Sequence, residues 1–219
     1  MQSPELVRER IERAGVMAIL RRVPEARLEP AVEALWRGGV RVAEVTWDDE
    51  SSPDLLARAM ASSGDDSLWG MGTVTSARQV RRALAAGARF IVTPVFVPEV
   101  VEECRRQGVL CVPGAFSPTE VHAAWRAGGG LIKVFPAAVL GAPYFRHLRG
   151  PFPGIPLLAV GGVSADNAGS FLRAGAVAVG AGGELVRRDL IERGDWEALA
   201  EGAGRFVAAV EEARSPCSR

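Results

Sequence analysis

The sequence predicts an α/β protein, a (β/α)8 TIM barrel with an extra N-terminal helix, and three observations predict it. Short apolar or β-branched runs recur eight times along 219 residues. Between them lie amphipathic stretches opened by Ser or Pro and closed by Gly, as helix caps and stops are. Several runs are apolar on both faces, which suits strands of a parallel sheet covered by helices. Eight such units in one compact chain favour closure into a barrel over an open doubly wound sheet. A dinucleotide-binding version of the open sheet also lacks its G-x-G-x-x-G after the first strand.

The leading segment "MQSPELVRERIERAG" is charged and amphipathic rather than a signal peptide, and it reads as the extra helix at the bottom of the barrel. The strand candidates follow at Val16–Leu20, Val42–Trp47, Leu68–Val74, Phe90–Val95, Leu110–Phe116, Leu131–Pro136, Leu157–Val163 and Ala176–Ala181. Stretches such as "SARQVRRALAAGARF" and "SPTEVHAAWRAGG" supply the helices between them, and the tail from Asp195 to Arg214 reads as the last helix. Residues 1–219 are expected to form a single domain.

Composition removes several classes of function. Formal net charge is zero, so no basic field exists to hold nucleic acid or an anionic membrane, and an anionic ligand needs a local site. Cys104, Cys111 and Cys217 have no CxxC spacing, and His122 and His147 are the only histidines. A zinc site or a disulfide framework is therefore not expected, nor any metal or cofactor. No apolar run approaches membrane-spanning length. The expected compartment is the cytoplasm.

One residue stands apart. Lys133 is the only lysine among 26 basic residues, and it lies inside the apolar stretch "GGGLIKVFPAA". What an amine offers and a guanidinium cannot is deprotonation to a nucleophile. Catalytic groups of such barrels stand at the carboxyl ends of the strands. There the chain presents Glu44 and Thr46, then Thr73, then Thr93 and Pro94, then Lys133 and Phe135, and finally the pairs Gly161–Gly162 and Gly182–Gly183. Alternation aims Glu44 and Lys133 inward if Thr46 and Phe135 also point inward. An inward lysine is costly as a cation, so its pKa should fall, and the neutral amine can attack a carbonyl to form an imine. Glu44 is the candidate proton shuttle. A buried Glu44–Lys133 ion pair without chemistry is the structural alternative.

The chain resembles the 2-keto-3-deoxy-6-phosphogluconate aldolases, also described as 4-hydroxy-2-oxoglutarate aldolases, from about Val16 to near Val186. The matching elements are "AILR", "EVT", "GMGTV", "VTP", "VPG", "IKVFPA", "GPFPGIPLLAVGGVS" and "GAGGEL", in order along the eight strands. The resemblance implies a class I pyruvate aldolase, an aldehyde-lyase of homotrimeric habit acting on a small keto acid. Lys133 would form the Schiff base and Glu44 would be the general acid/base. Thr73, Pro94 and Phe135 would line the pyruvyl pocket. Backbone amides near Gly161, Gly162, Gly182 and Gly183 would receive a phosphate, a role glycine loops leading into helices can physically fill.

Two positions depart from the family. Where many members read "EVTLR", this chain reads "EVTWDD", so Trp47 and Asp48 stand where an arginine helps hold the substrate carboxylate. Arg21 is the expected replacement, and related galactonate-type aldolases also carry arginine there. Glu184 replaces a serine that often touches phosphate. If it points in, the substrate is an unphosphorylated 4-hydroxy-2-oxo acid; if it turns away, amides can still hold a phosphate. Two other functions fit the same strand ends: a phosphosugar isomerase or epimerase working without an imine, and a noncatalytic barrel with a degraded anion site. His122, Tyr144 and His147 read as structural, and clusters such as "VRRAL" as solvated helix faces.

Overall fold

The computed structural model describes residues 2–215, so Cys217 lies outside the described residues. Nine parallel strands run β1 Val16–Leu20, β2 Val42–Thr46, β3 Leu68–Gly72, β4 Phe90–Val92, β5 Leu110–Val112, β6 Gly114–Ala115, β7 Ile132–Val134, β8 Leu157–Val160 and β9 Ala178–Ala181. Their order across the sheet is β5-β4-β3-β2-β1-β9-β8-β7-β6. The two outermost strands in that order, β5 and β6, are consecutive in the chain and separated only by Pro113. The sheet therefore closes on itself. The eight expected strands are all present, the fifth of them divided in two.

Proline explains the division, because it has no N–H to give to a ladder. Below it, β5 pairs with β4; above it, β6 pairs with β7. Thr93 bridges the joint, its hydroxyl accepting the Gly114 N–H at 3.1 Å. The carbonyl of Pro113 accepts the Lys133 N–H at 3.0 Å.

Helix α1 Pro4–Ala14 precedes the strands, and α2 Leu28–Arg37, α3 Ser52–Ala61, α4 Ala77–Ala85, α5 Pro98–Gln107, α6 Pro118–Arg126, α7 Ala137–Leu140, α8 Ala142–Arg149, α9 Ala165–Arg173, α10 Arg188–Arg193 and α11 Trp196–Arg214 connect or follow them. Their ends follow the cap chemistry in the sequence. Ser3 accepts the Leu6 N–H at the start of α1, and Gly15 ends that helix in the left-handed region at φ 72°. At α6, Ser117 and Glu120 exchange bonds in a capping box.

Alternation along the strands sorts the core into two shells. Met17, Ile19, Val42, Leu68, Phe90, Val92, Leu110, Leu131, Leu158 and Val160 fill the barrel interior, joined by Val7 and Ile11 of α1. Their strand neighbours, among them Ala18, Ala43, Val45, Ile132 and Val134, pack outward against the helices. The extra helix is thus a stopper in the lower mouth. Space inside is tight: a Cβ on Gly70 would stand 2.3 Å from the Phe90 ring. No helix among the described residues is long and apolar enough to cross a membrane.

Candidate active site

Glu44 shares the parity of Val42 and Lys133 that of Leu131, so both side chains enter the interior near its upper end. Glu44 is 1% exposed and Lys133 5%. No ion pair or hydrogen bond joins them among the described residues, and Glu44 Oε2 is buried without a partner. The closed ion pair that would have made them purely structural is not formed. Burial pushes the Glu44 carboxyl pKa up, against the opposing pull of Lys133 and Arg21. Burial likewise lowers the Lys133 amine, which Glu44 opposes and Arg21 reinforces. Both groups are driven toward their neutral forms, the states in which an amine attacks and a carboxyl donates a proton.

A glycine makes room for this arrangement. Gly72, at the top of β3, pairs with Thr46, and a Cβ there would lie 2.3 Å from Glu44 Oε1. The sequence reading passed over Gly72, although a glycine inside a strand marks a close approach.

Arg21 follows β1 and turns across the mouth, where its guanidinium donates to the Thr73 hydroxyl at 3.1 Å. Its charge is felt by both Glu44 and Lys133. Thr73 adopts φ 58° and Arg22 adopts φ 51°, the only non-glycine residues in the left-handed region among those described. Such backbones cost about 1–3 kcal/mol each and persist where the surroundings impose them. Asp48 does so at Arg22, accepting its N–H at 3.0 Å on the oxygen that also takes the Thr46 hydroxyl at 2.9 Å. Ser52 fixes Asp48 in turn, accepting its N–H at 3.0 Å. The residue that reads in sequence as a lost cation is the anchor of the neighbouring loop.

The remaining expected residues gather unequally. Phe135 is 42% exposed at the rim, with the Lys133 Nζ 5.1 Å from its ring centre. Gly161, at φ 95°, lets that ring lie close, since a Cβ would stand 2.9 Å from it. Gly162 is also left-handed, and its carbonyl accepts from Asn167 at 2.9 Å. Pro94 packs on Gly114, the residue paired with Lys133. Gly182 and Gly183 line a cavity of about 360 Å³ beside Arg21. Glu184 is exposed, does not line that cavity, and its charge acts on Arg187.

The structural readings of three other residues fit what is seen. Tyr144 donates its hydroxyl to the Phe116 carbonyl at 2.6 Å, and His122 stacks on Phe152 at 5.5 Å. His147 lies in α8. Cys104 and Cys111 are buried free thiols.

Fold and site together define a parallel α/β barrel enzyme with an amine and a carboxyl buried at the carboxyl ends of its strands. A model of the KDPG and KHG aldolases matches residues 7–201. The chain belongs to that family and is an aldolase, a lyase. A 2-dehydro-3-deoxy-phosphogluconate aldolase of Pseudoalteromonas atlantica is 34% identical, over 82% of this chain and 83% of its own. The crystal structure of KDPG aldolase from Legionella pneumophila, with pyruvate captured as a covalent carbinolamine, superposes with a TM-score of 0.84 at 26% identity, covering 94% of this chain and 98% of that one. A designed cube-shaped cage, made by fusing symmetric oligomeric domains, matches with a TM-score of 0.83 at 30% identity, over 91% of this chain and 73% of the cage chain.

Proposed function

We propose that the chain cleaves a 2-keto-3-deoxy-6-phospho sugar acid or 4-hydroxy-2-oxoglutarate to pyruvate and an aldehyde through an imine on Lys133. The observation that carries this reading is a unique lysine, buried and shifted toward its neutral amine, facing a buried carboxyl with an unpaired oxygen. The neutral Nζ adds to the C2 ketone, and the resulting carbinolamine loses water as the neutral Glu44 carboxyl protonates its hydroxyl, which leaves a protonated imine and a Glu44 carboxylate. Glu44 takes the proton from the C4 hydroxyl as the C3–C4 bond breaks. The bonding pair flows into the imine to leave an enamine, and the aldehyde departs. Glu44 then returns its proton to C3, and hydrolysis of the pyruvyl imine frees the lysine.

Arg21, held by Thr73, is assigned to the substrate carboxylate, a pairing that guanidinium geometry favours. Phe135 and Pro94 wall the pyruvyl unit. The backbones of Gly161, Gly162, Gly182 and Gly183 face the distal end. The exposure of Glu184, outside the cavity lining, leaves the glycine amides free to hold a phosphate.

Pyruvate with borohydride tests the chemistry. One internal peptide, the one containing Lys133, should gain the reduced pyruvyl mass, and Lys133→Arg should lose both the adduct and cleavage. Cleavage by the arginine variant would end the imine mechanism.

A homotrimer is part of the same proposal. Val95, Phe116, Phe135 and Val139 are large apolar side chains exposed at neighbouring strand ends, a surface that association would cover. A mass of three chains by light scattering is expected; a monomer mass would overturn it. Two unbridged thiols suit the reducing cytoplasm, the compartment this reading implies.

A further inference from the structure

The cavity beside Arg21 lies between the segments that follow β1 and β9. It is lined by Ile19, Arg21, Arg22, Arg188, Gly182 and Gly183 among others, and no acidic side chain lines it. Ile19 also belongs to the barrel interior, so the cavity and the interior share a wall. Three arginines line this hollow with no carboxylate among them, whereas the four arginines lining the hollow under α1 share it with Asp66 and Glu211.

The two glycines sharpen the point. Neither Gly182 nor Gly183 is left-handed. A Cβ on Gly183 would meet nothing within 4 Å, and one on Gly182 would meet its nearest atom only at 3.9 Å. Neither the backbone nor the packing requires glycine at these positions. What their missing side chains leave open is the cavity.

Arg22 is set toward it by its backbone. The carboxylate of Asp48 accepts the Arg22 N–H, no hydrogen bond or ion pair engages the guanidinium among the described residues, and Arg22, at φ 51°, lines the cavity. We propose that Arg22 is a specificity-determining residue that binds the phosphate end of the substrate in this cavity, with Asp48 as the positioning residue that holds it there. The proposal rests on the aldolase reading above and names the group that reading leaves without a charged partner. A phosphate dianion offers oxygens to a guanidinium fork and to the glycine amides at once, which a hydroxyl end cannot do.

The test compares 2-keto-3-deoxy-6-phosphogluconate with its unphosphorylated counterpart, two substrates that differ only at the distal end. Alanine at position 22 keeps the Cβ, and hence the backbone strain, so Arg22→Ala isolates the guanidinium. The preference in kcat/KM for the phosphorylated substrate should fall by about 10- to 100-fold, mostly through KM, since charge-assisted bonds of this kind contribute that much. Asp48→Ala should lower the same preference. Asp48→Asn should retain most of it, because the amide oxygen can still accept the Arg22 N–H; a merely structural Asp48 would change melting temperature and leave the preference alone. Inorganic phosphate, titrated by calorimetry without turnover, should bind the wild type and bind Arg22→Ala at least tenfold more weakly. An unchanged preference, or equal phosphate binding by both proteins, overturns the inference. A wild type that binds phosphate through Arg22 but cleaves neither substrate would instead sink the aldolase reading while leaving this site standing.

Discussion

Gly72→Ala is a small change aimed at one atom. The added Cβ would stand 2.3 Å from Glu44 Oε1 and 2.6 Å from its Cδ, where ordinary contact begins at 3.4 Å, a shortfall of 3.4 − 2.3 = 1.1 Å. The methyl cannot retreat, because the Gly72 carbonyl is held by the Trp47 N–H at 2.7 Å and its backbone lies in the ladder. The Glu44 side chain must therefore yield. Displacing a reacting group by about 1 Å costs on the order of 10²-fold in rate. Stability should change less. Replacing a strand glycine by alanine gains about 0.5–1 kcal/mol, while overpacking costs about 1–3 kcal/mol. The net loss is then at most about 2.5 kcal/mol, or roughly 5–10 °C in melting temperature for a chain of this size. Pyruvate release measured at saturating substrate should show kcat reduced about 100-fold, while borohydride still traps pyruvate on Lys133. A variant that folds and keeps kcat within about twofold of wild type, against the 10²-fold expected, would refute the assignment of Glu44 as acid and base.

Glu44→Gln should lower cleavage and pyruvate methyl-proton exchange by roughly 10²–10⁴-fold, read by proton exchange in heavy water; undiminished exchange would require another base. Lys133→Met should stabilise the fold while abolishing the reaction. The Lys133 pKa is depressed on folding, so the wild type loses stability as pH falls below 10.5, and the stability gap to the methionine variant should widen in that direction. Glu44 has the opposite sign: its raised pKa makes the wild type lose stability as pH climbs above 4.5, so the advantage of Glu44→Gln should grow with pH in denaturant titrations. Thr73→Val removes the hydroxyl that Arg21 bonds while keeping a branched side chain, and should raise the pyruvate KM with little change in kcat.

The sequence made the ends of the strands readable and the loops beyond them unreadable, for a physical reason. Alternation carries a side-chain direction through a strand, so Glu44 and Lys133 could be aimed inward together with Thr46 and Phe135. Uniqueness alone singled out Lys133. Past the strand, direction depends on φ and ψ, which residue identity does not disclose. Asp48 therefore looked like a missing cation, when its role depends on the left-handed turn at Arg22. Glu184 looked like a threat to a phosphate for the same reason, and its exposure removes the conflict. The break at Pro113 and the clearance at Gly72 had signals in the sequence, a proline and a glycine inside strands, and both went unread because the surrounding runs are apolar.

Helix α1 lies at the opposite end of the barrel from the amine, yet it shares a fate with it. Val7 and Ile11 plug the lower mouth of a column whose upper end holds Lys133. Water admitted from below would raise the local dielectric, restore the solvation of the ammonium and reduce the fraction of amine able to react. On the proposed role of Lys133, its reactivity is maintained partly by a hull at the far end, away from the proposed substrate site. In this molecule a bilge leak would register as a loss of chemistry before it registered as a loss of shape.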